Sequence, residues 1–141
     1  MTKYVLSIDG GGVRGLASAN FLSKLDKKIP KKLSESFDLL VGTSTGGIIS
    51  LAISILDLEG EDLVKIYSKE NIKKIFSPFR YRILGYKYAG KIKRKTFDEY
   101  FGAEDLGSSK VPLIITAFDL EKRRVKMFKS WKEGYLPARR V

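Results

Sequence analysis

A mainly parallel α/β fold is predicted by three features of this 141-residue chain. Two apolar runs each lead into a glycine-bearing turn and then into a helical pattern, at residues 3–29 and 37–56. A third apolar run, at 111–118, follows a further helical stretch. No linker, repeat or low-complexity tract divides the sequence, so residues 1–141 are expected to form one domain. Strands that alternate with helices are joined by crossovers, and crossovers make neighbouring strands parallel.

Lys3-Tyr4-Val5-Leu6-Ser7-Ile8 reads as the opening strand. It runs directly into Asp9-Gly10-Gly11-Gly12-Val13-Arg14-Gly15. Leu16, Ala19, Leu22, Leu25 and Ile29 then recur at near-helical spacing, with Lys24, Asp26, Lys27 and Lys28 on other faces. Three consecutive glycines allow several backbone N–H groups to converge on one anionic atom. Such donors suit an oxyanion hole, which stabilises the alkoxide of a tetrahedral intermediate. Arg14 adds a fixed positive charge beside the loop, or orders it by pairing with a carboxylate. Gly10, Gly12 and Gly15 also match the G-x-G-x-x-G of a dinucleotide-binding turn. That reading demands an acidic residue at the end of the second strand. Asp38 stands at its beginning and Glu35 before it, so nucleotide binding ranks below acyl transfer. A Walker A loop fails because no Gly-Lys-Ser/Thr follows the glycines.

Phe37-Asp38-Leu39-Leu40-Val41 is short, apolar and bounded by turn residues, as a buried strand is. Gly42-Thr43-Ser44-Thr45-Gly46 follows, a G-x-S-x-G pentapeptide of the kind that lifts a nucleophilic serine on a strand-to-helix turn. Gly42 and Gly46 flank Ser44 where side chains would collide. From Ile48 to Leu56 the chain is apolar nearly all round, which predicts a buried helix. Its N-terminus would favour negative charge at Ser44. The chain contains no histidine, so a Ser-His-Asp triad cannot be built from it. A hydrolase based on Ser44 must use another base, and a carboxylate fits best.

Further along, Gly60-Glu61-Asp62 precedes Leu63, Val64, Ile66, Tyr67, Ile72, Ile75 and Phe76, read as one amphipathic helix ended by Ser77-Pro78. Thr96-Phe97-Asp98-Glu99 has the form of a capping box, and Gly102 closes the short helix it opens. Arg123-Arg124 is placed at a turn between strands 111–118 and 125–128, with Asp119, near a strand end, read as a hairpin-turn residue ahead of a catalytic base.

The Asp9–Gly15 and Gly42–Gly46 motifs together resemble the patatin-like phospholipases. That family carries a D-G-G-G-x-R-G loop after its first strand and G-x-S-x-G after its second. Both motifs match here, in order. The resemblance implies a three-layer α/β/α domain that hydrolyses acyl esters of lipids, phospholipids among them, through a Ser-Asp dyad without histidine. Ser44 would be the nucleophile, and Gly10, Gly11 and Gly12 would form the oxyanion hole with Arg14 in support. Gly42 and Gly46 would shape the turn. The family's second catalytic residue is an aspartate in a later Asp-Gly-Gly or Asp-Gly-Ala element. This chain departs there, because its only Asp-Gly is Asp9-Gly10. The expectation is therefore an N-terminal part of a catalytic domain, with the dyad aspartate beyond Val141. Residues 1–141 alone should then have little activity, and no carboxylate should reach the Ser44 hydroxyl.

Lysine and arginine total 27 against 16 acids, a formal charge of +11. Much of the excess lies between Lys65 and Lys95, where Glu70 is the only acid and Phe76, Phe79, Tyr81, Tyr86 and Tyr88 interleave with cations. That mixture suits an anionic membrane surface. It suits nucleic acid too, but the hydrolase motifs favour lipid and no nucleic-acid partner is expected. With no cysteine and no histidine, neither disulfides nor a metal site is expected, and no cofactor is called for. Residues 1–12 lack the form of a secretory signal, and the run from Ile48 to Leu58 is too short to span a bilayer. A cytoplasmic protein, peripheral to membranes at most, is the corresponding expectation. The competing class is an inactive basic domain that binds lipid or nucleic acid.

Overall fold

The computed structural model describes residues 1–76, 94–95 and 97–132. Its centre is a four-stranded sheet of strands β1 (Val5–Ile8), β2 (Leu39–Thr43), β3 (Leu113–Asp119) and β4 (Arg124–Lys129), in that spatial order. β1, β2 and β3 are parallel, and β4 returns antiparallel beside β3. This is the mainly parallel α/β sheet that the sequence predicts. The helices are α1 (Gly15–Asp26), α2 (Leu33–Ser36), α3 (Thr45–Ser54), α4 (Gly60–Ile66) and α5 (Lys69–Phe76).

The order β1-β2-β3 has a topological consequence. Both crossovers step the same way across the sheet, and right-handed crossovers that step the same way leave their helices on one face. Side-chain burial agrees. Leu40 and Gly42 of β2 are buried, while Leu39, Val41 and Thr43 are not. On the helix side lies the core: Leu40 and Leu113 from the sheet, Leu22 from α1, Ile49 and Ile53 from α3 and Leu63 from α4 are all fully buried. On the other side Val5, Phe118, Val125 and Met127 remain exposed. The described residues thus supply a sheet and one helical layer.

Where boundaries differ from the expected ones, the cause is local. β2 begins two residues late because Asp38 is spent on a latch. Its carboxylate accepts from the Lys3 ammonium at 2.7 Å and from the Tyr4 amide at 2.9 Å. The Lys3 bond holds the Asp38 carboxyl below the usual carboxylate range. α1 ends at Asp26, short of Ile29, and the Asp26 carboxylate accepts from the Gly60 amide at the start of α4. The single amphipathic helix expected from Gly60 onward is two helices. It breaks at Tyr67 and Ser68, where the Ser68 hydroxyl accepts from the Asn71 amide and restarts the helix. A helix over residues 97–101 is closed by Gly102 at φ +53°, as read from the sequence. Thr96, the start of its expected capping box, lies outside the described residues. So does most of the basic-aromatic region, at residues 77–93. Among the described residues no helix is long and apolar enough to cross a membrane.

One ion cluster fastens the back of α3. Asp57, at φ +55°, accepts from Lys32 and Lys110 at 2.8 Å each and from the Ser34 hydroxyl at 2.6 Å. Lys110, Lys32 and Ser34 hold its carboxyl well below the usual carboxylate range.

Candidate active site

β1 and β2 lie side by side and end at the same edge of the sheet, where Ile8 pairs with Gly42. Parallel α/β sheets present their sites at this carboxyl-terminal edge. Two turns leave it together. One is the glycine loop, which passes through a single 3₁₀ turn over Gly12–Arg14 into α1. The other is Thr43-Ser44, which enters α3 at Thr45.

Ser44 is exposed, and its backbone sits at φ +52°, ψ −118°. A residue with a Cβ rarely adopts positive φ, at a cost on the order of 1–3 kcal/mol, and the surroundings must enforce it. Here the enforcement is steric. A Cβ on Gly42 would lie 2.5 Å from the Gly46 carbonyl oxygen. A Cβ on Gly46 would lie 2.0 Å from the Ile8 carbonyl oxygen and 2.9 Å from that of Asp9. Bare backbone at both positions lets the first turn of α3 press onto the end of β1. The sequence singled out both glycines, and the packing gives the reason.

The same closeness joins the two motifs. A Cβ on Gly10 would meet the Ser44 Cβ at 3.0 Å and the Thr43 carbonyl oxygen at 3.1 Å. The glycine loop and Ser44 are therefore neighbours. No turn or loop hydrogen bond among the described residues uses the amides of Gly10, Gly11 or Gly12. Among the described residues Arg14 pairs with no carboxylate, one of the two expected roles. Its amide and its Nε both donate to the Gly11 carbonyl, at 3.2 and 3.5 Å. The side chain ties that carbonyl back along the loop.

Thr45 and Thr43 fix the serine from either side. The buried Thr45 hydroxyl hydrogen bonds with Tyr67, and the Tyr67 hydroxyl also donates to the Thr45 carbonyl at 3.4 Å. Burial pushes the Tyr67 phenol up, against the pull of the Thr45 bond. Thr43 Oγ1 lies 2.7 Å from Thr116 Oγ1 on β3. Sequence reasoning missed Tyr67 as a support. Its partner lies 22 residues away and the pairing leaves no periodic trace.

Two of the acids are held away from the serine. Asp119 closes its own turn, its carboxylate accepting from the amides of Glu121 and Lys122 at 3.2 and 3.1 Å. Asp38, the acid nearest to a nucleotide-binding pattern, stands at the opposite end of β2 from the glycine loop. No hydrogen bond among the described residues joins a carboxylate to the Ser44 hydroxyl. No cluster of three metal-ligating side chains occurs among them either.

The sequence model of the patatin-like phospholipase family matches residues 6–136. The chain is 31% identical to Patatin-like protein 1 of Arabidopsis thaliana, over 91% of its own length and 36% of that protein's. To Patatin-17 of Solanum cardiophyllum it is 31% identical, over 88% of the chain and 35% of the relative. A further relative, 27% identical over 88% of the chain and 36% of its own length, is Probable inactive patatin-3-Kuras 1 of Solanum tuberosum. The chain spans little more than a third of the length of these curated relatives.

Proposed function

The chain belongs to the patatin-like phospholipase family, and from that premise we propose that it carries the nucleophile and the oxyanion-binding half of a lipid acyl hydrolase. The observation that carries this reading is the contact of the two turns, with Ser44 exposed at positive φ and the Gly10 backbone against its Cβ.

In the proposed reaction the Ser44 Oγ attacks the ester carbonyl carbon and a new O–C bond forms. The carbonyl electron pair moves onto oxygen, where the amides of Gly10, Gly11 and Gly12 receive it. Among the described residues no turn hydrogen bond engages those amides, which suits them to the task. One lost oxyanion donor typically costs about 2.7–4 kcal/mol of barrier. Arg14 orients the loop through the Gly11 carbonyl. The N-terminus of α3 adds partial positive charge at Ser44. A carboxylate takes the Oγ proton and returns it to the leaving alcohol as the acyl C–O bond breaks. Water then repeats the sequence and releases the fatty acid.

The base is the aspartate of a Ser-Asp dyad. Asp119 is committed to its own turn, and no Asp-Gly other than Asp9-Gly10 of the glycine loop occurs in the chain, so we assign the dyad aspartate to sequence outside residues 1–141. Residues 1–141 alone then turn over slowly, because an unactivated hydroxyl is a weak nucleophile. The substrate class is fatty-acyl esters of glycerolipids, met in the cytoplasm or at a membrane surface. The competing reading, a domain that keeps the fold without activity, gains support from the relative named as probably inactive. A fluorophosphonate probe separates the two when applied to the longer protein that includes the dyad aspartate. Rapid labelling that disappears in Ser44→Ala is expected. Equal labelling of Ser44→Ala would remove Ser44 from the mechanism, and no labelling of either protein would favour the inactive reading.

A further inference from the structure

The β3–β4 hairpin rises beyond the edge at which Ser44 sits. Thr43 pairs with Thr116, and β3 continues to Asp119 before the chain turns at residues 120–123. At about 3.3 Å per strand residue, the tip stands roughly 10 Å past that pairing. The tip is ordered by the Asp119 carboxylate, which holds two of its amides, and by Arg123 at φ +48°.

This hairpin is apolar where water should make it polar. Leu120 at the tip is 82% exposed, and Phe118 and Val125, paired across the strands, are 59% and 64% exposed. Met127 continues the patch on the same face. Lys122 and Arg123 lie in the turn beside it and Arg124 opens β4, three cations against Asp119 and Glu121. Lysines on an edge strand discourage strand addition, but a leucine presented at a tip does not serve that purpose. Exposed aliphatic groups beside an excess of cations match one surface, an anionic lipid interface, whose headgroups attract the cations and whose acyl boundary accepts the side chains. Nucleic acid offers the charge but no apolar layer for Leu120, Val125 and Met127.

We propose that the tip of the β3–β4 hairpin, through Leu120, Phe118, Val125, Lys122 and Arg123, docks the protein on anionic bilayers with the Ser44 edge of the sheet turned toward the lipid. This rests on the proposed lipid activity for its biological sense but is tested without turnover. Residues 65–95, where interleaved aromatics and cations led to the expectation of a membrane contact, lie mostly outside the described residues.

The test uses Ser44→Ala protein, so that hydrolysis plays no part, with Leu120→Cys carrying an environment-sensitive fluorophore. Residues 1–141 contain no cysteine, so the label is unique within them. Vesicles of phosphatidylcholine alone are compared with vesicles that also contain phosphatidylserine. A blue-shifted, brighter label is expected on the anionic vesicles only. Lys122→Ala and Arg123→Ala should each weaken that binding roughly fivefold, and added salt should weaken it further. Trp131, the only tryptophan, lies at the other end of β4, about 20 Å from the tip. Its emission should stay unchanged, which tests the orientation. Equal binding by the cation variants would overturn the proposal, as would a Trp131 response with a silent label. So would binding of a single-stranded oligonucleotide without vesicle binding, or dimerisation that buries the label in the absence of lipid. None of these outcomes bears on fluorophosphonate labelling of Ser44, so the two readings can fail separately.

Discussion

Gly46 and Gly47 are adjacent, share the first turn of α3 and differ in what a side chain would meet. A Cβ on Gly46 would lie 2.0 Å from the Ile8 carbonyl oxygen, 2.6 Å from its carbon and 2.9 Å from the Asp9 carbonyl oxygen. Real Cβ atoms essentially never approach closer than 3.0 Å, so α3 or β1 must move by about 1 Å, and every atom struck is backbone. Overpacking typically costs about 1–3 kcal/mol. With no side chain able to yield, Gly46→Ala belongs at the upper end, about 3 kcal/mol. The helix propensity gained by alanine returns at most about 1 kcal/mol. The expected loss is about 2 kcal/mol. At Gly47 the nearest atoms are the Ile115 side-chain methyls at 3.2 and 3.6 Å, which can give way. There the same propensity gain cancels a cost of about 1 kcal/mol, and Gly47→Ala should be close to neutral. Urea unfolding reads the contrast. With a slope of about 2 kcal/mol per molar, Gly46→Ala should shift the midpoint down by about 1 M. Midpoints for the two variants within about 0.2 M of each other would show that α3 does not press onto β1 in this way.

Four further outcomes are expected. Asp57→Asn keeps the tolerance for positive φ but loses the charge that Lys110 and Lys32 neutralise. The two lysines are about half exposed, so solvent screening limits the loss to about 1 kcal/mol at neutral pH. Because the folded carboxyl is held down, its contribution is complete above the unfolded value of about 3.9. It is lost as pH falls through the folded one, so the two proteins should converge in strong acid; a gap that persists there in denaturant titrations would contradict the ion pairing. Ser54→Ala should stabilise by about 0.5–1 kcal/mol, since the buried Ser54 hydroxyl has no hydrogen-bond partner among the described residues; a lower thermal midpoint would mean that the hydroxyl is bonded. Tyr67→Phe should cost about 1 kcal/mol by releasing Thr45, and an unchanged unfolding midpoint would show that the contact is idle. In the longer protein, Gly12→Ala should lower kcat by roughly 10²–10³ if the loop amides hold the oxyanion, whereas a change confined to KM would point to substrate binding instead.

The two turns were legible in the sequence because close backbone approach admits glycine alone, and glycine at Gly10, Gly42 and Gly46 is visible without any coordinates. Asp119 was legible for a similar reason, since an aspartate at a strand end bonds amides two and three residues on. The break at Tyr67 was hidden under a continuous apolar pattern, although Ser68, a cap residue placed mid-pattern, was a signal that could have been weighed. Nothing in the sequence announces the Asp57 cluster. Lys32, Ser34 and Lys110 come from distant segments, and long-range ion pairs leave no periodicity. The placement of the described helices on one face was equally hidden, because it depends on the direction of each crossover and on no single residue.

The bond between Thr43 and Thr116 spans 73 residues, whereas β1 and β2 meet over about half that separation and β3 turns straight into β4. Ring closure over 73 residues costs only about 0.7 kcal/mol more than closure over 34, but non-local pairings form slowly. The chain can therefore assemble as two early pieces, a β1–α1–β2 unit and a hairpin, which then zip along the β2–β3 seam. Ser44 leads out of that seam. Its surroundings are completed by the last pairing to form, so a refolding experiment should recover hairpin protection before Thr43 and Thr116 become protected. Simultaneous protection of all four strands would show a single concerted closure instead.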